Sequence, residues 1–128
     1  MSKNQIEKLV KSNALTERFG LKLSGADAQE LMEHRFETLR RERRIEFGEG
    51  VLDKLIYAFC DSPFIYQENY VETIEGLQEI FYNYKNQFKD MVSDDELIEV
   101  MENYFDGKCQ GSLDLLEEEL WINRSNIL

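Results

Sequence analysis

The chain has 128 residues, 42% hydrophobic and 32% charged, and its 15 Lys and Arg against 26 Asp and Glu give a formal net charge of −11. That length suits one domain with a real core, and eight Phe and six Tyr argue against disorder. A pI near 4.5 excludes nucleic acid and an anionic membrane as general partners, because phosphate binding needs net positive faces.

From the N-terminus, Met-Ser-Lys-Asn-Gln leads into an amphipathic stretch without the apolar core of a signal peptide. No apolar run approaches the ~20 residues that span a bilayer. Cys60 and Cys109 are the only cysteines, too few for a secreted disulfide framework, so a soluble cytoplasmic chain with reduced thiols is expected. Ile6, Leu9, Val10 and Leu15 recur near the 3.6-residue period and predict a first helix over Asn4 to Phe19. Gly20 would end it as a C′ glycine. Leu21-Lys22-Leu23 reads as extended, and Ser24 with Asp27 three positions on predicts a capping box for a second helix, running to about Arg44. Ile45-Glu46-Phe47 alternates before Gly48 and Gly50, which suggests a tiny two-stranded patch with Leu21–Leu23.

Val51 to Cys60 is apolar over more than half its helical circumference and reads as the central buried helix. Asp61-Ser62-Pro63 breaks the chain, with Ser62 placed as an N-cap and Pro63 at a first helical position. The longest helix follows from about Gln67 to Lys89, with Tyr70, Ile74, Leu77, Phe81, Tyr84 and Phe88 as its apolar stripe. Ser93-Asp94-Asp95-Glu96 is a capping box for a helix closed by Gly107, and Gly111-Ser112 starts a last helix through about Asn123. Six helices on short connections predict an all-α bundle, one helical domain over residues 1–128.

The order Arg44-Ile45-Glu46-Phe47-Gly48, Phe59-Cys60-Asp61-Ser62-Pro63, Ser93-Asp94-Asp95-Glu96-Leu97 and Phe105-Asp106-Gly107-Lys108-Cys109-Gln110-Gly111-Ser112 resembles a family of uncharacterised bacterial proteins, mainly of clostridial type, a domain of unknown function. The resemblance covers about residues 12–120. It implies a cytoplasmic bacterial protein and carries no activity, cofactor or catalytic residue.

Charge is divided by position: residues 1–50 carry +1 and residues 51–128 carry −12. Five of the seven arginines, Arg35, Arg40, Arg41, Arg43 and Arg44, fall within ten residues. Against the second helix's apolar face of Ala28, Leu31, Met32 and Leu39, Arg35 falls at about −30° and Arg43 near 50°, while Arg40 and Arg44 flank it and Arg41 points away. A buried guanidinium needs a charged partner. Pairing of Arg35 and Arg43 with carboxylates of the acidic half is therefore the first expectation. The alternative is an anion pocket built from Arg40, Arg43 and Arg44.

A nucleophilic cysteine needs a histidine or a helix N-terminus to lower its pKa. The only histidine, His34, is expected on the polar side of its helix, so Cys60 reads as a core residue. Cys109 reads as a packed loop residue, with a redox-sensitive thiol as the alternative. Glu68, Glu72, Glu75 and Glu79 share one helical face opposite the apolar stripe and read as solvated, with a partner-binding strip as the alternative. No metal site or cofactor motif is expected: two Cys and one His lack zinc spacing, and Asp106-Gly107-Lys108 lacks the ligands of a calcium loop.

In the last helix, Leu113, Leu116 and Leu120 share one side. Leu115 and Ile122 lie about 180–200° round, with Trp121 between. That second apolar side reads either as buried within the fold, a terminal helix covered on both sides, or as a contact for a protein partner or a homodimer with Trp121 as its anchor. The leading reading is a non-enzymatic helical interaction or regulatory module. Its rival is a small-anion or metabolite-binding protein, an enzyme included, built on the arginine cluster.

Overall fold

Helical periodicity carries into the computed structural model, which describes residues 3–46 and 50–128 and contains no strand among them. The helices are α1 (Lys3–Lys11), α2 (Asn13–Thr16), α3 (Gly25–Arg41), α4 (Leu52–Phe59), α5 (Tyr70–Gln87), α6 (Asp94–Asp106), α7 (Leu113–Ile122) and α8 (Arg124–Ile127). Their starts follow from local hydrogen-bond chemistry. The Asp27 N–H donates to Ser24 Oγ and the Ser24 N–H to Asp27 Oδ2, each at 3.0 Å, so the predicted capping box opens α3. Ser93 and Ser112 accept from the Glu96 and Leu115 N–H groups at 3.2 Å and open α6 and α7.

The centre of the bundle is α5, which packs against α3, α4, α6 and α7, while α1 lies along α3. Its stripe of Tyr70, Ile74, Leu77, Phe81, Tyr84 and Phe88 is buried throughout. Tyr82, on another side, is buried as well, so α5 is enclosed more completely than one stripe requires. Leu52, Leu55, Ile56 and Phe59 bury α4, and Phe59 meets Phe105 of α6 edge to face with ring centroids 5.5 Å apart. The turn before α7 needs a glycine twice over. Gly111 has φ +80, and a Cβ there would fall 2.5 Å from Phe64 Cβ.

Four boundaries differ from the sequence reading. The first helix is interrupted at Ser12, and Phe19 is reached through a 3₁₀ turn at Glu17–Phe19 before Gly20 turns left-handed at φ +78. Helix α3 stops at Arg41 because Arg43 adopts φ +58. Ser62 does not cap a helix: its hydroxyl donates to Asp106 Oδ1 at 2.6 Å and accepts from the Phe64 N–H, and α5 begins only at Tyr70 after a 3₁₀ turn at Gln67–Asn69.

The two-stranded patch is the fourth correction. Leu21–Leu23 has no regular secondary structure, and side-chain amides hold it. Gln67 accepts from the Lys22 N–H at 2.8 Å and donates to the Lys22 carbonyl at 2.9 Å. Asn13 does the same for Leu23, with both bonds at 2.8 Å. The Leu21 N–H and carbonyl are both bonded to Thr16, at 3.1 and 2.8 Å, so no ladder position is left on the segment. Ile45 is exposed, and Phe47, the end of the supposed partner, lies outside the described residues.

Candidate functional site

The arginine cluster is spread out by the end of α3. Arg44 closes both terminal guanidinium nitrogens on Asp90, Nη2 to Oδ1 at 2.8 Å and Nη1 to Oδ2 at 3.3 Å, and Nη1 also donates to Asn86 Oδ1 at 2.7 Å. That pairing holds the Asp90 carboxyl below its ordinary range. Arg43 is exposed, because the left-handed step takes it off the helical wheel on which it would face the core. Arg40 is exposed too, and with Arg44, Phe36, Leu39, Ile45 and Glu46 it borders a shallow hollow of about 320 Å³. Arg41 reaches Glu79 at 3.5 Å. Of the three proposed anion ligands, then, Arg44 already holds a carboxylate of its own chain.

The basic stretch meets the acidic half through Arg44 with Asp90 and Arg41 with Glu79 rather than through Arg35 and Arg43. Lys85, buried in α5, donates to the Val92 carbonyl at 2.6 Å and sits 3.0 Å from Asp94 Oδ1. It spans the loop in which Lys89 and Asp90 take φ values of +53 and +58. Arg35 does face the core: it is 1% exposed, and no carboxylate partner for it occurs among the described residues.

The glutamate face and His34 are both placed differently from the sequence reading. Glu68 and Glu72 are exposed, whereas Glu75 and Glu79 are half-buried against α3. His34 lies between the helices, its Nε2 2.8 Å from Glu79 Oε1 and its Nδ1 3.3 Å from Gln78 Nε2. A carboxylate on Nε2 makes that nitrogen the donor, so Nδ1 accepts from the Gln78 amide. Burial, followed by a hydrogen bond to Glu30, pushes the Glu75 carboxyl up to about 8. Near neutral pH it therefore favours its protonated form. Glu30, Glu33, His34, Glu37 and Glu75 line a cleft of about 260 Å³. These groups can exchange protons and receive a cation, yet among the described residues no set of His, Cys, Asp and Glu has the geometry to hold a metal ion. The signal was present in the sequence as two four-residue spacings, Glu30–His34 and Glu75–Glu79, which meet once α3 and α5 pack together.

Both cysteines are free and buried. Desolvation raises the thiol pKa of Cys60 and of Cys109, and Cys109 is 1% exposed. This environment disfavours the thiolate that a redox-sensitive site needs.

The last helix divides as its periodicity predicts. Leu116 and Leu120 are fully buried, while Leu115, Trp121 and Ile122 are 45%, 50% and 68% exposed. The Tyr84 hydroxyl of α5 donates to the Glu117 carbonyl at 3.0 Å and pins α7 from behind. Arg124 stacks on Trp121, its Cζ 3.8 Å from the ring centroid. Beside that pair, Tyr84, Phe88, Trp121, Arg124 and Leu128 line a hollow of about 280 Å³. No helix among the described residues is long and apolar enough to cross a membrane.

The chain belongs to the family of unknown function DUF6323, whose model matches residues 8–126. No curated protein and no solved structure matches it.

Proposed function

We propose that the chain is a helical protein-interaction module that docks a basic amphipathic helix of a partner protein on the outer face of α7 and α8. The observation that carries this reading is the exposed apolar set Leu115, Trp121 and Ile122 of α7 with Leu128 after α8, while Leu116 and Leu120 on the opposite side of α7 are fully buried. Large side chains left uncovered together mark contact surfaces more often than chance, and a half-exposed tryptophan is a favoured anchor. Charge selects the partner. Asp114, Glu117 and Glu118 are exposed around the apolar residues, and residues 51–128 carry −12. A second copy would bring like charge to the same face, whereas a cationic helix is attracted to it. Free thiols at Cys60 and Cys109 fit a reducing, cytoplasmic setting for that encounter.

Isothermal titration with a synthetic Lys/Leu amphipathic helix tests the reading. Saturable one-to-one binding is expected, weakened at least about tenfold by Leu115→Glu or Ile122→Glu and progressively by salt. An acidic helix of the same hydrophobicity should not bind. Affinity unchanged in both variants would remove this surface from the account. A sedimentation mass that rises with concentration in wild type, and not in the variants, would replace the partner by a second copy.

A further inference from the structure

We propose that a cationic side chain of the docking partner takes the face of Trp121, and that Arg124 holds that place until the partner binds. This deepens the docking reading of the α7–α8 face and rests on it. The Arg124 Cζ lies 3.8 Å from the centroid of the Trp121 ring, and its Nη1 donates to the Trp121 carbonyl. At that distance the guanidinium is in contact with the ring and covers one of its faces. The chain thus carries its own cation on the residue that anchors the docking surface.

That cation is weakly held. Helix α7 carries Asp114, Glu117, Glu118 and Glu119, yet Arg124 forms no ion pair with any carboxylate among the described residues. Glu119 is already taken, by Lys108 at 3.0 Å and by the Asn123 amide at 3.1 Å. Arg124 itself is exposed, so the ring and one carbonyl are what hold it. A cation–ring contact open to water is a weak interaction, one that a second cation can exchange for.

The ring is well placed to make that exchange. Trp121 borders the hollow of about 280 Å³ that it shares with Tyr84 and Phe88, two buried residues whose rings lie 5.6 Å apart and give the hollow a fixed floor. Leu115 and Ile122 share one exposed side of α7. An amphipathic helix that lays its apolar stripe on them brings the Lys or Arg residues flanking that stripe toward the indole, the ring type that binds cations best. Arg124 and the incoming cation compete for one face and repel each other, so docking moves Arg124 aside and replaces one cation–ring contact by another.

The test is titration of the Lys/Leu helix into wild type, Arg124→Gln and Arg18→Gln, the last removing the same charge from an exposed residue of the 3₁₀ turn before α3. Arg124→Gln should bind about two- to fivefold tighter than wild type, the gain expected when a weak internal competitor is removed, and Arg18→Gln should match wild type. In the protein alone, acrylamide should quench Trp121 fluorescence more strongly in Arg124→Gln, because the ring is uncovered. With peptide bound, quenching should fall to the same level in both. Affinity unchanged or weaker in Arg124→Gln, with wild type still binding, would overturn the competition and leave the docking reading in place. An equal gain in Arg18→Gln would reduce the effect to net charge and overturn it as well, and so would equal quenching of the two free proteins. No binding to either wild type or Arg124→Gln would remove the docking reading and this inference with it.

Discussion

Arg44 and Asp90, 46 positions apart in sequence, are joined by two hydrogen bonds, the shorter 2.8 Å. The pair ties the segment after α3 to the turn after α5, where Lys89 and Asp90 are left-handed. With Arg41–Glu79, it is one of the points at which the basic and acidic halves of the chain meet. Arg44→Ala should destabilise by about 2 kcal/mol, because it also releases Asn86. Asp90→Asn should cost about 1 kcal/mol, since that carboxylate is largely exposed. Urea unfolding at neutral pH measures both. A folded-state pKa below the ordinary 3.8 means that the pair stabilises above that value and fades as pH falls through it and on through the lower folded value. Asp90→Asn should accordingly flatten the acid limb of the stability curve.

Glu75 has the opposite sign. Its carboxyl is raised from an ordinary 4.5 to about 8 in the fold, so its favourable protonated state is fully available below pH 4.5 and is lost as pH rises through 8. Wild-type stability should fall across that window. Glu75→Gln keeps an uncharged group in place, and should remove much of the slope and melt higher than wild type at pH 9. Melting curves at half-unit pH steps check this, and parallel wild-type and variant curves would contradict it.

Lys85 is a buried cation whose ammonium holds the Val92 carbonyl and Asp94. Lys85→Met preserves the aliphatic stem, so its effect isolates the charge. A loss of about 2–3 kcal/mol is expected, with hydrogen exchange accelerating first in the loop between α5 and α6.

Cys109 should behave as a core thiol. Ellman's reagent should react with neither cysteine in the native protein at neutral pH and with both after unfolding. Rapid native labelling of Cys109 would restore the redox alternative.

The helices and most of their caps were legible because Ser24, Ser93, Ser112 and Gly20 act through bonds spanning only a few residues. The pairing of Leu21–Leu23 was not, because the groups that satisfy it, Asn13 and Gln67, come from helical segments on either side, the latter 45 positions away. Arg43 was misplaced by a single left-handed residue, which the wheel cannot contain. On the wheel of either helix alone, His34 and Glu79 fall on the solvent side. Their own helices expose them, and only the packing of α3 on α5 turns them toward each other. Periodicity alone separated the two sides of α7, but only the packing of the bundle decides that Leu116 and Leu120 are covered while Leu115, Trp121 and Ile122 stay exposed.

Trp121 is the chain's single tryptophan, so its fluorescence reports on the docking face without a label. On titration with a basic amphipathic helix, the emission maximum should shift to the blue and saturate as the half-exposed ring is covered. Ile122→Glu should abolish the shift while leaving the melting temperature unchanged. An emission maximum that stays fixed through saturating peptide, or an equal shift in Ile122→Glu, would contradict the account.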